Sequence, residues 1–121
     1  MHASCLKFLG DFCEICQDAR ESWQKCYAEW RPEEPPDTVL FGDIGYYVAA
    51  GLAKDVDYLS FEAFKLIEDV FDQSDEVLLT AVLTGLVEGM ISGLTEVPEI
   101  REKVIEKFGV RSRAHARAWL S

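Results

Sequence analysis

A chain of 121 residues, 49% hydrophobic and 28% charged, has the size and composition of one globular domain and is neither disordered nor fibrous. Its formal net charge of −10 is unevenly placed: residues 1–100 hold twenty acidic and six basic side chains (−14), residues 101–121 two acidic and six basic (+4). An acidic body excludes broad affinity for nucleic acid or anionic membranes and favours a basic partner.

The longest uncharged run, Val77 to Val87, is too short for a bilayer span of about 20 residues. The first residues lack the basic and apolar regions of a secretory signal. A cytoplasmic protein without a membrane segment is therefore expected.

The first predicted helix runs from Ser4 to Trp30. At about 100° per residue, Cys5, Phe8, Leu9, Phe12, Cys13, Ile15, Cys16, Ala19, Trp23, Cys26 and Tyr27 share one broad face. Lys7, Asp11, Glu14, Asp18, Glu21, Lys25 and Glu29 line the other. Residues 31–37, Arg-Pro-Glu-Glu-Pro-Pro-Asp, read as a rigid acidic linker. A second helix is predicted from Gly42 to Ala53, with Asp43 in its first turn, and a loop follows around Lys54 to Asp57. Ser60 is the expected N-cap of a third helix reaching Phe71, and Ser74 that of a fourth, about 75–92. Leu78, Leu79, Val82, Leu83, Leu86, Val87, Met90 and Ile91 cover most of that fourth helix, which marks it as a buried, central one. Gly85 and Gly89 within it imply close helix contacts, since each costs roughly 1 kcal/mol of helix propensity relative to alanine. Pro98 opens a fifth helix, Gly109 ends it, and residues 110–121 hold a short basic helix from Ser112. The expected fold is all-α, a single-domain bundle of five to six helices around residues 75–92.

Catalytic chemistry finds no purchase in these residues. Cys13-x-x-Cys16 lies mid-helix with no strand nearby, unlike a thioredoxin-type motif, and Cys5 and Cys16 stand about 16 Å apart along the helix. All four cysteines are expected as free core residues. Neither His2 nor His115 follows a glutamate at the Glu-x-x-His spacing of a bundle metal site. Nucleophile elbows and phosphate loops are absent. No enzyme activity, metal or cofactor is expected. Glu88, with Thr84 one turn before it, stands out on the apolar helix. It is either a perturbed carboxylate or a structural acceptor for a group such as the Tyr47 hydroxyl.

The strongest binding candidate is the carboxylate run Asp55, Asp57, Glu62, Glu68, Asp69, Asp72, Asp75 and Glu76, opposed between residues 54 and 76 only by Lys54 and Lys65. Charge runs are commonly plain solvated faces; its density, with Tyr46 and Tyr58 as aromatic anchors, is what makes it a candidate interface. The basic C-terminal helix offers three arginines, a weak nucleic-acid footprint.

At Phe41-Gly42-Asp43-Ile44-Gly45-Tyr46-Tyr47, and again at Leu83-Thr84-Gly85-Leu86-Val87-Glu88-Gly89-Met90, the chain resembles a family of small helical bacterial immunity proteins encoded beside polymorphic toxins of contact-dependent or type VI secretion systems. The similar portion is about residues 36–93. The resemblance implies a cytoplasmic antitoxin that blocks its cognate toxin by direct contact, with Asp43 and Glu88 as fold-defining positions; the acidic charge adds that this toxin is basic. A regulatory or adaptor domain that uses the basic C-terminal helix is the alternative.

Overall fold

The computed structural model describes residues 1–121 as seven helices without a strand. Helix α1 (Ala3–Ile15) buries Cys5, Phe8, Leu9, Phe12 and Cys13, the i, i+3, i+4 stripe expected of one amphipathic face. The predicted single helix from Ser4 to Trp30 is in fact two. Cys16 leaves helical geometry at φ −118°, ψ 84°, and three turn hydrogen bonds carry the chain through Gln17 and Asp18 into α2 (Ala19–Trp30). A straight helix over that span would be about 40 Å long, more than the roughly 35 Å diameter of a domain this size. The break also gives the two halves different neighbours: α1 packs on the fourth and fifth helices, α2 on the third. The apolar stripe runs through the turn without interruption, so sequence periodicity does not mark it.

Helix α3 (Asp37–Lys54) starts five residues before the predicted Gly42. Pro36 supplies the cap position and its carbonyl accepts the Leu40 N–H at 3.0 Å, a role that needs no N–H of its own. The linker thus ends at Pro36, and Asp37 rather than Asp43 occupies the first turn. Helix α4 (Phe61–Asp69) tightens into a 3₁₀ turn, Val70–Asp72. Ser60 precedes it in extended conformation, but its side chain makes no capping bond. Ser74 does not cap the next helix either. It turns the chain at φ 52°, and Asp75 is the cap, its carboxylate accepting the Leu78 N–H at 3.0 Å.

Helix α5 is continuous over Glu76–Thr80, a π-helical stretch Ala81–Val87, and Glu88–Ser92. It makes its most extensive contact with α3. There the two backbones nearly touch. A Cβ at Gly45 would lie 2.5 Å from the Leu86 carbonyl oxygen, and one at Gly89 2.6 Å from that of Gly42. Helix α6 (Pro98–Lys107) carries proline in its first turn, and α7 (Val110–Leu120) begins two residues before the expected Ser112, with Gly109 as its cap residue. Phe8 stacks between Phe12 and Phe41, while Phe64 meets Phe108 edge to face. All four cysteines are free and buried. No helix is long and apolar enough to cross a membrane.

Candidate partner-binding surface

Glu68 of α4 and Asp72 of the 3₁₀ turn after it are held by the basic C-terminal helix. Glu68 Oε2 accepts from the Arg111 backbone N–H at 3.0 Å and from its Nε at 2.9 Å. Its Oε1 accepts from the Ser112 N–H at 3.0 Å and the Ser112 hydroxyl at 2.6 Å. Burial by itself would raise the Glu68 carboxyl; these bonds outweigh it and hold the pKa down to about 2. Asp72 receives both terminal nitrogens of Arg111, at 2.8 and 3.1 Å, which lowers its pKa, and the guanidinium also lies over the Phe71 ring at 4.9 Å. Glu68 was expected to face solvent. It is instead mostly covered, and Gly109 is its floor, since a Cβ there would lie 2.5 Å from the carboxyl carbon.

The rest of the predicted acidic surface divides. Asp69 pairs with Lys65 at 2.8 Å and Asp57 with Lys107 at 3.1 Å; Asp75 caps α5, and Asp55 accepts the Asp57 N–H. Glu62 and Glu76 stay exposed and take no part in an ion pair. On α7, Arg113 reaches Glu106 at 3.6 Å, and Arg117 joins Glu102, at 2.7 Å, to Glu106. Every arginine of this helix is thus paired within the chain. Glu88 meets His115 Nε2 at 2.8 Å, not Tyr47, so it links α5 to α7; Thr84 beside it is exposed.

A second acidic surface lies between α2 and α3, where sequence periodicity alone left an outer face. The helices run antiparallel: the Tyr47 hydroxyl donates to Glu21 at 3.2 Å, and Tyr58, just beyond α3, donates to Asp18 at 3.2 Å. Between them is a cleft of about 560 Å³. Glu21, Ser22, Lys25 and Glu29 line it from α2 at helical spacing, and Asp43, Tyr46 and Tyr47 from α3. Tyr47 also borders the next recess, about 380 Å³, whose walls include Asp18, Lys54, Asp55 and Tyr58. Of the predicted residues, Tyr46 lines the first recess and Asp55 and Tyr58 the second, while Asp57, Glu62, Glu68, Asp69, Asp72, Asp75 and Glu76 lie outside both.

The electrostatics of this trough differ from those of α4. None of Asp18, Glu21, Glu29, Asp43 and Asp55 is in an ion pair, although Lys25 and Lys54 stand among them. Burial first, then Asp43, pushes the Cys26 thiol at the back of the cleft up to about 12. Burial followed by Glu21 raises the Tyr47 phenol; burial followed by Cys16 and Asp18 raises that of Tyr58. Ser22 is only 8% exposed, lines the cleft, and makes no side-chain hydrogen bond within the chain. The arrangement offers carboxylate and hydroxyl acceptors beside aromatic rings, which is chemistry for holding a cation. No three histidine, cysteine or carboxylate side chains converge as a metal-binding group. Asp43, expected in a first turn and as a fold-defining position, is an exposed wall of this cleft. The i, i+4, i+8 ladder of Glu21, Lys25 and Glu29 was visible in the sequence, but not that α3 lies opposite it. Searches against protein-family models, curated proteins and solved structures gave no match.

Proposed function

We propose that this chain is a binding protein for a basic protein partner, and specifically an immunity protein that neutralises a cytoplasm-acting toxin domain by direct contact. One observation carries the reading: the cleft carboxylates Glu21, Glu29 and Asp43 form no ion pair within the chain, whereas Glu68 and Asp72 are matched by Arg111. Unmatched negative charge around an open trough raises the encounter rate of a basic surface, and it does so most at low salt. The segments behind the family resemblance, 41–47 and 83–90, meet at the α3–α5 backbone contact, and we take α5 as the organising centre of the platform that presents the trough. The adaptor alternative draws on the basic helix α7, whose arginines are already occupied by Glu68, Asp72, Glu102 and Glu106.

The test is co-expression with the product of the adjacent gene, followed by size-exclusion chromatography and association kinetics at 50 and 300 mM salt. A stable complex, association at least ten-fold slower at the higher salt, and rescue of cells expressing that product are expected. No complex and no rescue would refute the immunity reading.

A further inference from the structure

We infer that the groove along the outer side of α2 binds a free nucleotide, with the base against Trp23 and Tyr27 and the phosphates on Arg20 and Arg31. The groove is a recess of about 310 Å³, at the lower end of the range of ligand pockets, and five residues line it: Arg20, Trp23, Gln24, Tyr27 and Arg31. Positions 20, 23, 27 and 31 follow one another at steps of three and four, so they form one stripe about 16 Å long on a helix rising 1.5 Å per residue. None of the five lines the cleft between α2 and α3. The two surfaces use different flanks of the helix, and this assignment does not depend on the proposed partner.

Local charge here is the reverse of that of the whole chain. Arg20 and Arg31 are exposed and enter no ion pair, whereas Arg111, Arg113 and Arg117 are all matched within the chain. Glu34 accepts the Tyr27 hydroxyl at 3.3 Å and is itself paired with the Met1 amino group at 3.1 Å, so it leaves both guanidiniums free. Each guanidinium offers a planar fork of donors that takes phosphate oxygens two at a time. The half-buried Trp23 and Tyr27 supply ring faces, and such faces stack on any nucleobase. Gln24, exposed beside them, carries an amide acceptor and two N–H donors, the pattern that reads the edge of a base. Guanidiniums, rings and an amide in one recess thus answer phosphate, base face and base edge. A bare carboxylate would engage the arginines and leave the rings and the amide idle. A single strand shares the nucleotide's chemistry, but its further phosphates would extend over a body of net charge −10, with Glu33 and Glu34 close behind Arg31.

The experiment titrates the full chain with adenosine diphosphate at 50 mM salt, following backbone amide and indole shifts, with affinities from calorimetry. Adenosine, pyrophosphate, hexadeoxyadenylate and hexaglutamate are the comparison ligands. Expected are shifts centred on residues 20–31, the Trp23 indole included, and an affinity at least ten-fold above that of adenosine and three-fold above that of pyrophosphate. Arg20→Gln/Arg31→Gln should weaken adenosine diphosphate at least ten-fold. Arg101→Gln/Lys103→Gln removes the same charge from unpaired positions on α6 and should cost less than two-fold. Trp23→Leu changes no charge; it should cost about five-fold for adenosine diphosphate and less than two-fold for pyrophosphate. Gln24→Ala, at an exposed position that folding does not need, should cost about three-fold. Circular dichroism confirms that each variant is folded.

Equal losses in the two double variants, or shifts that avoid α2, would overturn the site. Pyrophosphate or hexaglutamate binding as tightly as adenosine diphosphate would overturn the nucleotide assignment and leave a groove for anions or for an acidic peptide. Trp23→Leu or Gln24→Ala without effect on adenosine diphosphate would overturn the placement of the base. Hexadeoxyadenylate bound more than ten-fold tighter than adenosine diphosphate would make a single strand the ligand and overturn the free nucleotide.

Discussion

Replacing Glu68 with glutamine should destabilise the protein by an amount that disappears in acid. The carboxylate accepts four hydrogen bonds from Arg111 and Ser112 at the start of α7. Glutamine keeps one acceptor oxygen but sets an amide NH₂ against donors that need an acceptor. Holding a carboxyl from 4.5 down to about 2 corresponds to roughly 3 kcal/mol, at 1.36 kcal/mol per pH unit. Arg111 is 45% exposed, so solvent screening brings the usable figure to about 2 kcal/mol. With about 2.1 cal/mol/K of unfolding entropy per residue, that is a fall in Tm of about 8 °C at neutral pH. A depressed folded-state pKa stabilises above the unfolded value and loses its effect as pH falls through the folded one. The gap between wild type and Glu68→Gln should therefore be full above about pH 5.5 and close to zero near pH 2. Urea unfolding of both proteins at pH 7, 5, 3.5 and 2.5 measures it, and taking the difference cancels the other carboxylates. A gap that stays constant with pH, or one below 0.5 kcal/mol at pH 7, would refute the role given to Glu68.

The α3–α5 contact makes a graded test of glycine. Gly85→Leu places a Cβ 2.6 Å from that of Phe41 and should cost about 3 kcal/mol in urea unfolding, while Gly42→Ala, with nothing nearer than 3.8 Å, should cost no more than a few tenths. Gly10 has open space around its Cβ position in the middle of α1, so Gly10→Ala should stabilise by about 0.5–1 kcal/mol; a loss there would mean that α1 is packed differently. Burial pushes the Cys5 and Cys13 thiols up to about 11 and Cys26 to about 12, so iodoacetamide at pH 8 should leave all three unmodified in the native state for hours by mass spectrometry, and modify them within minutes in urea.

Helix type was legible wherever apolar spacing and a start signal agreed, as at Phe61 after Ser60 or Pro98 before the Ile100 and Val104 stripe. Boundaries failed where two signals competed. The Cys16–Asp18 turn lies on an uninterrupted apolar face, and Pro35-Pro36 hid a helix that begins one residue later. At Ser74 and Asp75 the sequence offers two good caps in a row, and only the left-handed backbone at Ser74 decides between them. The acidic surface was misread for a different reason. Counting carboxylates along residues 54–76 is local, whereas neutralisation of Glu68 and Asp72 by Arg111 joins positions about forty residues apart. The α2–α3 trough was legible only in part, because Tyr46, Asp55 and Tyr58 are anchors of a wall whose other side belongs to α2. A substitution series built on Glu68, Asp69 and Asp72 would confuse loss of binding with loss of folding.

The small residues under α2 have their own consequence. That helix buries only Ala19, Ser22 and Cys26, with Trp23 and Tyr27 half covered, and its one extensive neighbour is α3. Little apolar area is lost when α2 lifts away, so its opening should cost less than that of the Phe-rich α1 or of α5. Amide exchange along α2 should outpace that along α1, α3 and α5. The wall of the cleft that α2 supplies is then the more loosely held of the two.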